Sequence, residues 1–168
     1  ALRQFTTIGE DWPIDFVYLD TSEDETFSVL AAAISPDTVS QITSTCQSIV
    51  SSSPKRLVLR AFAAASLLRR HDRGTTQPCR LMIDLLADEA DLTVLVDEAV
   101  VLMRTVRLAV ADDGTVQTKA LLGEVRRTIA SAQNQLRGRR VEKAILCGDG
   151  TDQSTLKEEI ETGLSLAV

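Results

Sequence analysis

The sequence predicts an α/β protein in which strands and helices alternate along the chain. Three observations lead there. Segments rich in β-branched and aromatic residues alternate with segments whose apolar residues recur at helical spacing. Clusters of glycine, proline and acidic residues separate them. The chain is also long enough, at 168 residues with 44% apolar and 25% charged, to bury a core in one domain or two small lobes. The order reads β-β-α-β-α, a polar linker, then β-β-β-α-β-α.

Trp12-Pro13 reads as an extended lead-in. "IDFVYLD" (14–20) has strand composition, "TSEDET" (21–26) is an acidic turn, and "FSVLAAAI" (27–34) returns as the second strand of a hairpin. Ser35 then suits an N-cap and Pro36 the first helical position. Val39, Ile42, Cys46, Ile49 and Val50 fall on one face of the helix that follows. "RLVLR" (56–60) is a short strand candidate, and "AFAAASLLRR" (61–70) is Ala-rich and helical. "HDRGTTQPC" (71–79) is the clearest linker, so the expected lobes are 1–73 and 80–168.

Beyond the linker, "RLMIDLL" (80–86), "ADLTVLV" (90–96) and "AVVLMRTVRLAV" (99–110) read as three consecutive strands joined by tight acidic turns. A helix is expected from about 118 to 137, burying Leu121, Leu122, Val125, Ile129, Ala132 and Leu136. "RGRR" (137–140) closes it with charge that suits the helix dipole. "VEKAILC" (141–147) is a strand. The last helix starts near Ser154 or Thr155, with Thr155 and Glu158 at capping-box spacing and Leu156, Ile160 and Leu164 as its apolar stripe.

The net charge of −6 argues against a general binder of nucleic acid or anionic membrane. No apolar run approaches the ~20 residues of a membrane span. No signal-peptide pattern opens the chain, and its start at Ala1 suggests a piece of a longer protein. Cys46, Cys79 and Cys147 form no Cys-x-x-Cys motif; they read as buried structural thiols in a reducing, cytoplasmic compartment. The single histidine, His71, stands in a polar loop stretch and suits no His-based triad.

Several constellations could carry chemistry. Gly148-Asp149-Gly150, between a strand and a helix, fits an anion cradle, and fits equally a turn that needs glycine for positive φ. Asp84 fits a magnesium-water ligand or a polar strand end. The acidic set Asp88, Glu89, Asp91, Asp97 and Glu98 lacks EF-hand spacing and reads as solvated turns. Arg126, Arg127, Arg137, Arg139, Arg140 and Lys143 read as a solvated face or a docking patch for an acidic partner. With aromatics at 4%, nothing supports base stacking.

Three strands followed by α-β-α form the core of a ribonuclease-H-like half, which is also the nucleotide-binding half of actin-like ATPases. "RLMIDLLADEADLTVLVDEAVVLMRTVRL" (80–108) resembles the second-lobe phosphate strand pair of the PilM and FtsA family. Asp84, Thr93 and Arg104 take the places of that family's Asp, Thr and Arg. "LLGEVRRTIASAQNQL" (121–136) resembles its helix "L-x-x-E-I-x-R-S-L-x-Y". "VEKAILCGDGTDQSTLKEEIETGLSLAV" (141–168) resembles its strand, glycine turn and helix. The segment from Asp11 to Arg70 resembles the smaller PilM subdomain and the return from it. The fold this implies is an actin-like (ribonuclease-H-like) mixed sheet flanked by helices, with a smaller α+β lobe on the N-terminal side.

The departures bear on function. The family's Asp-x-Gly is Asp84-Leu85-Leu86 here, and Leu86 puts a branched side chain where backbone must approach a phosphate. Asp88, Glu89 and Asp91 follow at once and would repel a triphosphate unless metal-bound. The first phosphate loop and the long insert after the Arg strand are absent from this sequence. The adenosine-side glycine turn survives only as Gly148-Asp149-Gly150. The resemblance therefore implies a vestigial nucleotide site at Asp84, Gly148, Asp149 and Gly150, with no catalytic residue, no metal and no cofactor. It implies a scaffold on the cytoplasmic side of an inner-membrane type IV pilus or type II secretion assembly, as in the cytoplasmic domain of the secretion protein GspL. The implied partners are the tail of a membrane protein of that assembly and a second copy of the chain, with neither nucleic acid nor membrane insertion. An alternative reading is the C-terminal part of an ATP- and magnesium-binding enzyme of the actin and sugar-kinase superfamily. A third is a ribonuclease-H-like nuclease with Asp84, Glu124 and Asp149 as metal carboxylates.

Overall fold

The computed structural model describes residues 8–21, 27–71, 78–97, 99–109, 117–136, 138–148 and 154–168. Among them run β1 (Ile14–Thr21), β2 (Phe27–Ala33), α1 (Pro36–Val50), α2 (Arg60–His71), β3 (Arg80–Leu85), β4 (Glu89–Val96), β5 (Ala99–Arg107), α3 (Thr118–Ala132), β6 (Lys143–Gly148) and α4 (Ser154–Leu164). Contacts divide the chain into two units, Ala1–Leu59 and Arg60–Val168.

In the first unit β1 and β2 pair antiparallel, as the hairpin reading expects. Ser35 caps α1 by accepting the Thr38 N–H at 3.2 Å, Pro36 opens the helix, and Ser51 closes it in the left-handed region. The apolar face expected on α1 does not become core. No residue of the helix is buried, and Ile49 and Val50 are 74% and 65% exposed.

The strand expected at 56–60 is not formed: 56–59 has no regular structure, and α2 begins at Arg60. Val58 stays 59% exposed, and among the described residues no strand pairs with this run. The unit boundary consequently falls before α2, not at the 71–79 linker, because α2 packs against β4 and β5. Its inner side is small, with Ala61 and Ala65 both buried. His71, expected in a loop, is the last residue of α2. Residues 72–77 of the linker lie outside the described residues.

The second unit is built on a four-stranded sheet in the order β5-β4-β3-β6. β3 pairs antiparallel with β4 and parallel with β6, and β4 pairs antiparallel with β5. A bulge between Val94 and Leu95 takes up one extra residue of β5. The parallel pair needs a crossover, and α3 lies in it. Side chains alternate between faces. Leu81 and Ile83 of β3, Leu92 and Val94 of β4, and Ala144 of β6 turn to one face, where they meet Leu121, Val125 and Ala132 of α3 and Ile160 of α4. The helical face expected on α3 is the one buried, although α3 ends at Ala132 and turns replace helix to Leu136. β5 likewise stops at Arg107. Arg126 donates to the Gly163 carbonyl at 2.7 Å and ties α3 to α4. Of the cysteines only Cys79 is buried; Cys46 and Cys147 are half-buried. Among the described residues no helix is long and apolar enough to cross a membrane.

Leu121 is fully buried where α3 meets the sheet. Leu121→Ala is expected to lower unfolding stability by about 3 kcal/mol in urea titration. Ile49→Ala, on the exposed side of α1, is expected to change it by less than about 0.5 kcal/mol.

Candidate functional site

Asp84 and Gly148 come together at the carboxyl ends of neighbouring parallel strands. The register pairs Asp84 with Cys147 and Leu85 with Gly148. Open α/β sheets place ligands at such ends. Asp149 and Gly150, the rest of the expected site, lie outside the described residues, as does the capping position before Ser154.

The antiparallel registers continue this row. Asp84 stands opposite Asp91, and Asp91 opposite Thr105. Cys147, Asp84, Asp91 and Thr105 therefore form a polar line across all four strands, on the face away from α3. Two carboxylates directly opposite each other repel. Arg60, at the first position of α2, answers both: its Nη2 lies 2.8 Å from Asp84 Oδ2 and its Nε 3.5 Å from Asp91 Oδ2. Thr105 Oγ1 donates to Asp91 Oδ1 at 2.6 Å. The carboxylates are largely covered, with side chains 15% and 14% exposed, while Arg60 reaches in from solvent at 42%. Sequence reading missed Arg60 because it assigned that residue to the end of a strand. A basic residue opening an Ala-rich helix was the signal available.

Gly148 has φ near 140°, and a Cβ there would meet the Leu85 carbonyl oxygen at 2.9 Å and Leu85 Cβ at 3.0 Å. Its glycine is accounted for by close approach of β6 to β3. Leu86, where the phosphate strand was expected to need a glycine, donates its N–H to the Glu89 carbonyl at 2.8 Å and closes the turn over Ala87 and Asp88. The Asp88 carbonyl in turn accepts from Leu108 N–H at 2.8 Å. Thr93 is fully buried, in register with Met82 and Met103. Arg104 lies on the opposite face, 3.1 Å from Glu124 Oε2, and Arg127 pairs with the other Glu124 oxygen.

Asp84 and Glu124 thus sit on opposite faces of the sheet and cannot share a metal ion, which removes two members of the nuclease triad from one site. Among the described residues no group of three or more His, Cys, Asp or Glu is placed to hold a metal. The remaining charges tie the surface together locally. Glu89 meets Arg107 at 3.6 Å, and Arg139 donates to both oxygens of Asp97 at 2.9 and 3.0 Å. Of the basic group, Arg126, Arg127 and Arg139 meet partners within the chain, on different elements; Arg137 lies outside the described residues.

Burial raises the Cys147 pKa above the ordinary thiol value, the Asp84 charge raises it further, and Arg60 partly offsets both. Cys79 is raised chiefly by burial. Both remain thiols near neutral pH.

Removing Arg60 leaves two opposed carboxylates half-covered. Arg60→Met is expected to cost about 1–2 kcal/mol in urea unfolding, and adding Asp84→Asn with Asp91→Asn is expected to recover most of it. For Cys147, alkylation by iodoacetamide should still be accelerating at pH 9.0, its ordinary midpoint. Because the folded pKa is raised, the stability contributed by the protonated thiol is complete below the unfolded pKa. It is lost as pH rises through the folded value, so thermal scans should show Tm falling there, and less so in Cys147→Ser.

No family model matches the sequence, and no curated protein matches it. Solved structures do. The chain is similar to a chain of a PilM–PilN type IV pilus biogenesis complex, with TM-score 0.77 and 17% identity over 98% of this chain and 57% of that one. It is also similar to a Bacteroides thetaiotaomicron protein with an actin-like ATPase fold and unknown function, with TM-score 0.55 and 13% identity over 99% of this chain and 57% of that one. The chain therefore spans little more than half the length of either, and what the likeness shows is its architecture: a mixed sheet flanked by helices, in the actin-like fold.

Proposed function

We propose that this chain is a non-catalytic actin-like module of a type IV pilus or type II secretion inner-membrane assembly, and that it binds the tail of a partner protein there. The observation that carries the non-catalytic part is the Arg60 bridge between Asp84 and Asp91. A guanidinium occupies the side of the carboxylates that a hydrated magnesium ion would need. The neighbouring turn is also committed, since the Leu86 N–H is given to Glu89 and Leu86 carries a side chain that a phosphate would meet. Magnesium and ATP do not fit these residues.

The pilus assignment draws on the likeness to a chain of a PilM–PilN complex. The position we propose is the cytoplasmic face of the inner membrane, reached through the partner. Exposed apolar surface on the β1–β2 ribbon, with Phe16 52% and Tyr18 67% exposed, is consistent with a module that works by contact.

Calorimetric titration with magnesium-ATP tests the reading. No binding heat is expected at micromolar or millimolar nucleotide. A micromolar Kd, lost in Asp84→Asn, would instead favour the alternative of an ATP-binding enzyme of the actin and sugar-kinase superfamily.

A further inference from the structure

We infer that the Asp84–Asp91 pair is a binding site for an arginine side chain of a partner protein, and that Arg60 fills it in cis until the partner arrives. The inference deepens the partner-tail reading above and rests on it for the existence of a partner.

The two carboxylates stand opposite each other on β3 and β4 and are mostly covered, while Arg60 lies at the mouth of the site, 42% exposed. Its Nη2 meets Asp84 Oδ2 at 2.8 Å and the Asp84 carbonyl at 3.4 Å, and its Nε meets Asp91 Oδ2 at 3.5 Å. A planar fork that reaches two acceptors at once is guanidinium geometry, which the point charge of an ammonium does not reproduce. Thr105 Oγ1 donates to Asp91 Oδ1 at 2.6 Å, which leaves the other oxygen of that carboxylate to the cation.

Two features make Arg60 a replaceable occupant. It is the first residue of α2, whose first turn holds no acidic residue. A cation at a helix N-terminus opposes the macrodipole, so the helix gains nothing from this side chain and the carboxylates alone hold it. The chain just before it, 56–59, has no regular structure. A separate observation shows an acceptor beside the pair that Arg60 does not serve. Thr93 follows Asp91 by two residues and so lies on the same face of β4. It is fully buried, and among the described residues its Oγ1 has no hydrogen-bond partner. A guanidinium carries five N–H donors, and one that is not tied to the start of α2 has donors left for this oxygen. The net charge of −6 draws a cationic segment to the chain.

The probe is acetyl-Gly-Arg-Gly-amide, compared with its lysine counterpart, and NMR chemical shifts read binding to the wild type and to Arg60→Ala. Removing the internal occupant is expected to tighten binding of the arginine peptide at least about tenfold. The lysine peptide should gain less, and adding Asp84→Asn with Asp91→Asn to Arg60→Ala should abolish the gain. In the wild type, saturating arginine peptide should open the Arg60 Nε–H to rapid solvent exchange, a readout that depends on no variant folding. Equal affinity of the wild type and a folded Arg60→Ala overturns the inference. An Arg60 Nε–H that stays protected at saturation overturns it too, as do equal gains for the two peptides. Each of these failures leaves the partner-tail reading standing, because a tail can bind elsewhere on the chain. The magnesium-ATP titration tests the non-catalytic reading separately.

Discussion

Two carboxylates, Asp84 and Asp91, stand directly opposite each other on adjacent strands, and most of their surface is withdrawn from water. At an effective dielectric of about 20, such a pair repels by on the order of 3 kcal/mol. The sheet tolerates it because Arg60 places its guanidinium against both. This bridge adds to the packing of Ala61 and Ala65 in holding α2 to the larger unit. It also sets the electrostatics of the row, since Cys147 responds to both Asp84 and Arg60. A charge that the fold could have taken from a bound cation is supplied by a residue of the chain.

The carboxyl ends of β3 and β6 form the crevice edge typical of α/β sheets. The polar groups around it are engaged within the chain. The Leu86 N–H is spent in a hairpin turn, Gly148 is needed by the packing of β6 on Leu85, and Asp84 is neutralised internally. Among the described residues these groups find their partners within the chain. The separate β1–β2 ribbon exposes apolar side chains, a feature on which partners assemble.

The glycine turn illustrates how far sequence reasoning reached into the site. A strand followed by Gly148 was legible, and so was the choice between anion cradle and structural corner. The contact of an added Cβ with Leu85 gives Gly148 a packing reason, and that contact joins residues 63 positions apart. The meaning of Asp84 was equally out of reach. Its partner Arg60 lies 24 residues upstream, in a segment whose alternating apolar residues resembled a strand.

The sequence alone determined the element types across residues 80–164, the face of α3 that is buried, and the cap that opens α1. These follow from local periodicity and from side chains that act within a few residues of themselves. Its motif order also pointed to the actin-like fold. Only the tertiary structure decided which charges meet, that α2 packs on the larger sheet, that 56–59 forms no strand, and that Asp84 and Glu124 face opposite ways. Strand pairing and ion pairing join residues distant in sequence, and a strand candidate becomes a strand only where another backbone is present to take its hydrogen bonds.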